Sequence, residues 1–307
     1  MNALRRARHI STGITHDARL ALRRLRARVG HQPNAVLSIE IAQRIGFFAQ
    51  LNWCLWIYFF CHAHQLRADI RLTRTYLEPA YGPNWFDYYF ENRSIAEPTI
   101  ATARRITDLA ELGLPAPNDN RSVTFELAHS LWTQYASVRP EFSQIVDRFF
   151  AQHIQARRTL GLHYRGSDKL HGRKPESPPV SPEEFCHRVR TRLDQDGHFK
   201  VLLVASDEPS FYDTVANAFP DLTVLANEDY QKADGKIGVH KREHGSPYLR
   251  GVDALVNCLL LSRCDALLKM PSFLSGWAKI FNPSLDTRMV TRPLERFSWF
   301  PDRDIAS

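Results

Sequence analysis

The chain has 307 residues, 44% of them hydrophobic, with 18 Phe and a formal net charge of +7. That length suits one large domain or two of ordinary size, and that apolar content fills real cores, which excludes a disordered chain.

In chain order, residues 1–34 come first as a basic extension. Arg5, Arg6, Arg8, Arg19, Arg23, Arg24, Arg26 and Arg28 are opposed there by Asp17 alone. Such a tail suits either a solvated, partly helical extension or peripheral contact with an anionic membrane, and both readings stay open. The remaining sequence carries no known nucleic-acid motif, and no nucleic-acid partner is expected. The tail lacks an apolar run, so no secretory signal is expected either. Five cysteines (Cys54, Cys61, Cys186, Cys258 and Cys264) form no Cys-x-x-Cys pair, and their odd number argues against a disulfide framework. A reducing, cytoplasmic setting follows.

Residues 35–155 are expected to form a first, Rossmann-like domain. "AVLSIEI" from Ala35 reads as a strand, "FFAQLNWCLWIYFFCHAHQL" from Phe47 as a buried helix, and "RADIRL" from Arg67 as the next strand. The apolar run Trp53–Cys61 is too short to span a bilayer. His62 and His64 would point about 200° apart on a helix, which makes them core or surface histidines rather than metal ligands. "YGPNWFDYYFEN" from Tyr81 reads as a loop with a short helix. Its Trp85, Asp87 and Tyr88 fit contacts to a sugar acceptor or a place in the core, and both readings stay open.

Residues 156–307 are expected to form a second such domain. "LGLHY", "KVLLVA", "LTVLA" and "ALLKM" read as strands. They alternate with the helices "SPEEFCHRVRTRL", "PSFYDTVANAF", "GVDALVNCLLLSRC" and "FLSGWAKIF". That alternation predicts a doubly wound parallel sheet, and two such units predict an α/β architecture with two Rossmann-like domains facing a cleft.

In open α/β sheets ligands bind beyond the carboxyl ends of the strands. Three such ends carry polar chemistry. His163 and Arg165 share one face where their strand ends, and Arg165 has the planar fork that holds phosphate oxygens. Gly166 would let a ligand approach the backbone, while Asp168 offers Arg165 a surface ion pair instead. Asp207 and Glu208 follow the all-apolar strand; helix capping and ligand contact both remain open for them. Ser272 precedes a helix, whose first-turn N–H groups make an anion site, and Phe273 stands beside it. Gly46, Phe47 and Phe48 open the first helix, as a hydrophobic staple or as a turn facing phosphate. No Gly-x-Gly-x-x-Gly, Walker loop or Gly-x-Ser-x-Gly elbow occurs, which disfavours dehydrogenases, nucleotide triphosphatases and α/β-hydrolases.

Four segments in this order resemble the fucosyltransferase superfamily that includes the core α1,6-, Nod-factor and protein O-fucosyltransferases. They are "GFFAQLN", "GLHYRGSDK", "VLLVASDEPSF" and "LLLSRCDALLKMPSFLSGWAKIFNP", and the likeness covers roughly residues 35 to 290. The resemblance implies a GT-B-like, inverting transferase that uses GDP-fucose without a metal and acts on a glycan or glycolipid hydroxyl. Residues 35–155 would form its acceptor side and residues 156–307 its GDP-sugar-binding side. Arg165 matches the arginine that grips the β-phosphate, and His163 a residue lining the nucleotide site. Ser272 falls at the hydroxyl position near the diphosphate, with Gly46, Phe47 and Phe48 on the turn that covers it. Glu176, seven residues before Glu183-Glu184, matches the proposed general base. Asn257 stands where the family often has a guanine-reading Asp, and Asp253 lies one turn earlier. An amide cannot accept two guanine N–H bonds as a carboxylate does. That departure motivates two alternatives, another GDP-sugar as donor and a non-catalytic nucleotide-sugar or glycan-binding homologue.

Overall fold

The computed structural model describes residues 35–94, 104–106, 123–166, 175–227 and 245–307. The basic extension, Asp168 and Lys169 lie outside them. The chain divides into two compact units, Met1–Val138 and Arg139–Ser307.

In the first unit, β1 (Val36–Ile41), α1 (Phe47–Ala63) and β2 (Arg67–Leu72) form the expected βαβ opening. The strands pair in parallel from Val36–Arg67 to Ile41–Leu72, and β4 (Arg104–Ile106) lies on the other edge of β1. Of the 17 residues of α1, 13 are buried, because the helix is apolar nearly all round and must be covered on every side. The aromatic stretch after β2 folds as a 3-10 turn (Pro79–Tyr81), the single turn α2 (Phe86–Tyr89), and β3 (Phe90–Asn92). β3 pairs antiparallel with β5 (Ala136–Val138) at the end of α3 (Phe125–Tyr135). α3 starts at Thr124, whose hydroxyl accepts from Leu127 N–H, and it packs on α1 by stacking Tyr135 on Tyr58 with ring centroids 4.9 Å apart.

The second unit begins at α4 (Pro140–Phe149), ahead of the boundary at 155 expected from sequence. Arg263, at the end of α7 (Pro247–Ser262), pairs with Asp147 of α4 and lies over the Phe150 ring. The helical pattern of residues 140–149 shows that a helix forms, and does not show which core it joins.

Beyond a π-helical turn (Phe150–Ile154) come β6 (Thr159–Tyr164), α5 (Pro182–Gln195), β7 (Val201–Ser206), α6 (Pro209–Ala218) and β8 (Thr223–Ala226). After α7 follow β9 (Ala266–Lys269), α8 (Phe273–Phe281) and β10 (Asp286–Met289). All five strands are parallel, in the order β8-β7-β6-β9-β10. Counted from β6 this is 3-2-1-4-5, the doubly wound order whose direction reverses between β6 and β9. Every residue of β6, β7 and β9 is buried, as a strand covered on both faces requires. The core beneath them stacks Tyr164 on Phe211 at 4.2 Å and sets Phe185 edge-on to both. β10 was not expected. It alternates exposed and buried residues at the sheet edge and so has no continuous apolar run. No helix among the described residues is long and apolar enough to cross a membrane.

Candidate active site

The reversal point between β6 and β9 sits where the second unit gathers its polar side chains. His163 pairs with Lys269 in the register of β6 and β9. Its buried ring shares a 3.0 Å hydrogen bond between Nδ1 and Ser275 Oγ, one turn into α8, which fixes the imidazole's orientation. Tyr164 points to the opposite face, into the core, and its hydroxyl donates to Val180 O at 2.9 Å. Burial pushes the Tyr164 phenol pKa up, and the nearby carboxylates of Glu208 and Asp207 add to that.

Arg165 follows with its side chain 21% exposed, and its Nε lies 3.9 Å from Asp207 Oδ2. At that separation the contact is a charge pairing rather than a hydrogen bond. The other oxygen of Asp207 accepts from Gly166 N–H at 3.3 Å. Asp207 therefore holds the end of β6 and aligns the arginine. It does not cap α6: the N-cap residue there is Glu208, with no side-chain bond, and Ser206 Oγ accepts from Glu208 N–H at 3.0 Å. Gly166 does face a crowded space, filled by this chain itself. A Cβ there would meet Glu208 Oε2 at 1.8 Å.

Ser272 is buried at the N-cap of α8, and its hydroxyl makes no capping bond to that helix. Phe273 beside it stacks on Trp299, with centroids 6.0 Å apart and planes at 21°. Glu176 is tied to the same region, since Leu294 N–H donates to its carbonyl at 2.8 Å. The chain thus brings His163, Arg165, Asp207, Ser272 and Phe273 to the ends of β6, β7 and β9, with Glu176 on a neighbouring loop.

Asp253 and Asn257 lie buried one turn apart on α7. Asn257 Nδ2 donates to Asp253 O at 2.8 Å, so the amide is turned back onto its own helix.

The first-unit candidates are differently placed. Phe47 and Phe48 are buried, and Phe47 packs within 5.3 Å, centroid to centroid, of Phe48, Tyr76, Trp85 and Tyr89. The Phe47 N–H donates to Tyr76 Oη at 3.1 Å, which occupies a first-turn donor of α1. Trp85 is fully buried, so its ring fills core and offers no stacking face. Tyr88 is buried too, and its hydroxyl lies 2.8 Å from Glu78 O and 2.6 Å from Gly82 O, closing that loop. Asp87 is exposed and accepts from Asn84 Nδ2 at 2.9 Å.

Sequence reasoning missed three features. Ser275 lies 112 residues from His163, and no local pattern links them. Lys269 is fully buried with its Nζ 2.5 Å from Asp302 Oδ1. A lysine inside the apolar run "ALLKM" was the available signal, since a buried charge demands a partner. The third is a pair of Asp-x-Asp triplets, Asp194 to Asp196 and Asp302 to Asp304, a pattern able to hold a metal on a nucleotide sugar. Here Asp196 pairs with Arg158, Asp302 with Lys269 and Asp304 with Arg303. Among the described residues no group of three His, Cys, Asp or Glu side chains is arranged to hold a metal ion.

No protein-family model matches the sequence. Nodulation protein Z of Sinorhizobium fredii (strain NBRC 101917 / NGR234) is 26% identical over 145 residues, 45% of this chain and 44% of that protein. The match thus spans less than half of that relative's length. A structure of POFUT1 in complex with GDP superposes with a TM-score of 0.50 at 10% identity, over 84% of this chain and 99% of that one. A structure of NodZ alpha-1,6-fucosyltransferase soaked with GDP-fucose matches with a TM-score of 0.48 at 19% identity, over 80% and 93% of the two chains. The chain shares the POFUT1 fold. The GT-B-like α/β class expected from sequence is borne out in that shared fold.

Proposed function

We propose that this chain is an inverting, metal-independent glycosyltransferase that moves fucose from GDP-fucose to a hydroxyl of a glycan or glycolipid acceptor. The observation that carries the reading is the arrangement of Arg165, aligned by Asp207, beside the His163–Ser275 pair and the Ser272 N-cap at the reversal point of the second sheet. The fold shared with POFUT1, a protein solved in complex with GDP, and the partial likeness to nodulation protein Z support it. In this reading the second unit binds the donor and the first serves the acceptor. The five buried, free cysteines support a cytoplasmic setting. The basic extension supports peripheral membrane contact.

As the bond between the anomeric carbon and the β-phosphate oxygen breaks, negative charge grows on the leaving diphosphate. Arg165 and the first-turn N–H groups of α8 stabilise that charge, aimed in advance at the place where it appears. His163, held by Ser275, lines the same wall. The acceptor oxygen attacks the opposite face of the anomeric carbon and inverts it, and Glu176 takes the acceptor's proton.

The test is calorimetric titration of GDP, UDP and ADP against the wild type and Arg165→Ala. The expected result is GDP-selective binding without added metal, weakened by about 2–4 kcal/mol in the variant. Binding that ignores Arg165, or that requires metal, overturns the proposal. A second reading has its own support. Asn257 donates its amide to its own helix rather than presenting it to a base. Equal affinity for the three nucleotides would favour a non-catalytic nucleotide-sugar or glycan-binding homologue, and GDP-selective binding without transfer from GDP-fucose would favour another GDP-sugar as donor.

A further inference from the structure

The exit of β6 is a place of opposed charges. Arg165 supplies a cation there, and Asp207 lies against it, 3.9 Å from its Nε. Glu208, half-buried, brings a second carboxylate to the same turn. Its Oε2 stands where a side chain on Gly166 would begin, 1.8 Å from the position of a Cβ. Among the described residues no cation lies within ion-pair distance of that carboxylate. Its hydrogen-bond donor is Ser210 Oγ, 3.4 Å from Oε1.

Helix capping does not account for this placement. Glu208 holds the N-cap position of α6, yet its side chain makes no capping bond, and Ser206 Oγ takes its N–H. The positive end of a helix favours an acid anywhere in the first turn and does not require it to lie over Gly166. The charge is felt next door. Burial raises the Tyr164 phenol pKa first, then Glu208 and Asp207 in that order, and Glu183 of α5 adds a smaller push. Each of these carboxylates opposes a new negative charge at this strand end. A turn built only to hold phosphate as tightly as possible gains nothing from Glu208.

Such a carboxylate can, however, distinguish two anions by their charge. In a nucleotide-sugar the terminal phosphate is esterified and carries one negative charge. Once the sugar has left, that phosphate has a second ionisation with a pKa of about 6, and at a pH of about 8 it carries nearly two. The donor and the released diphosphate thus differ by one charge at the group that Arg165 grips in the transferase reading. A carboxylate beside that arginine penalises the free diphosphate more, and specificity by repulsion is as effective as specificity by attraction.

We infer that Glu208 is a specificity-determining residue that discriminates by charge against the released nucleoside diphosphate, favouring departure of the product over loss of the donor. The inference rests on the transferase reading for the identity of the nucleotide. The arrangement of Arg165, Asp207 and Glu208 around Gly166 stands apart from that reading.

The test is calorimetry at a pH of about 8 on the full chain as wild type, Glu208→Gln and Glu208→Asp, with GDP, GDP-fucose and inorganic pyrophosphate. Glutamine keeps the shape and removes the charge, whereas aspartate keeps the charge. Glu208→Gln should tighten GDP and pyrophosphate about tenfold and GDP-fucose by no more than about threefold. Glu208→Asp should keep the wild-type ratio of GDP to GDP-fucose affinity. A purely structural role moves both ligands equally, so an unaltered ratio in Glu208→Gln overturns the inference. Weaker GDP binding in that variant also overturns it, because Glu208 would then be a ligand contact. A Glu208→Asp ratio equal to that of Glu208→Gln does the same, since charge would not be the cause. If neither nucleotide binds but pyrophosphate does, and more tightly in Glu208→Gln, the transferase reading falls and the charge discrimination stands. If none of the three anions binds, both fall.

Discussion

Each unit carries a parallel sheet, and each sheet passes from a strand end into a helix, yet the two passages are finished differently. In the first, the exit from β1 is packed with aromatic rings. Phe47 is walled by Tyr76, Trp85 and Tyr89, and the Tyr76 hydroxyl takes up its N–H. In the second, the exits from β6, β7 and β9 carry Arg165, Asp207 and Ser272, and the arginine retains access to solvent. The topological rule names the carboxyl ends of both sheets as binding places. Which end serves is decided by whether its side chains can exchange their contacts for a ligand's. Aromatic packing is already complete, whereas an aligned arginine gains from meeting an anion.

Removing the charged support of the second sheet is the most disruptive way to test this contrast. Asp302→Ala removes the carboxylate that binds the fully buried Lys269 Nζ, and the expected cost is about 3–5 kcal/mol in chemical denaturation. Lys269→Met added to Asp302→Ala should restore most of it, because the buried charge is then gone. A single variant that unfolds like the wild type would mean that the ion pair is dispensable and that the polar end is not rigidly supported.

Phe47→Ala probes the other side. Burial of Phe47 among four rings predicts a loss of about 3–5 kcal/mol in stability. GDP affinity of the protein that remains folded should be unchanged, since the ring fills core. A large loss of affinity with little loss of stability would reverse the assignment and make this aromatic turn part of the ligand's cover.

The same contrast explains what the sequence made legible. Strands β6, β7 and β9 were readable because burial on both faces leaves a run of apolar residues with no polar face to break it. Arg165 and Ser272 were readable because they interrupt apolar strands or open helices, and strand ends are where ligands bind. The aromatic residues of the first unit were ambiguous for the opposite reason. Trp85 and Tyr88 suit a sugar or a core equally, and only neighbours distant in sequence decide between them. The pairs that complete the second site, His163 with Ser275 and Lys269 with Asp302, span 112 and 33 residues. Nothing local encodes such pairings; they arise when the sheet order brings β6, β9 and the C-terminal segment together. Where the second compact unit begins, at Arg139, was not legible on the same ground, because α4 shows its helical period but not the core it joins.

A smaller effect is expected where α5 begins, away from the site. Ser181 is its N-cap and accepts from Glu184 N–H at 3.2 Å. Ser181→Ala should cost about 1 kcal/mol in denaturation, the usual value for such a cap. The pKa of Glu183 is held below its ordinary value, first by a backbone hydrogen bond and then by Ser181. A lowered carboxyl pKa contributes stability that is present above the ordinary value and lost as pH falls through the folded one. Ser181→Ala should therefore raise the Glu183 pKa toward its ordinary value in an NMR titration. An unmoved titration would assign the shift to the backbone alone.

The smallest expected change is at Gly46, and it is a gain. The residue has φ −63 and ψ 161, a conformation any residue adopts, and a Cβ there would meet nothing within 4 Å. Glycine is thus not required by the backbone or by this chain's own packing. Gly46→Ala should stabilise by about 0.4–1 kcal/mol, because alanine restricts the unfolded chain more than glycine does. Gly166 is the counterpart in the second unit, where Glu208 must move aside before a methyl fits. If Gly46→Ala is stabilising and leaves GDP binding intact, the β1 exit is a closed structural turn. If it is stabilising but abolishes GDP binding, the open space around Gly46 is occupied by the ligand, and the glycine is kept for that ligand rather than for the turn.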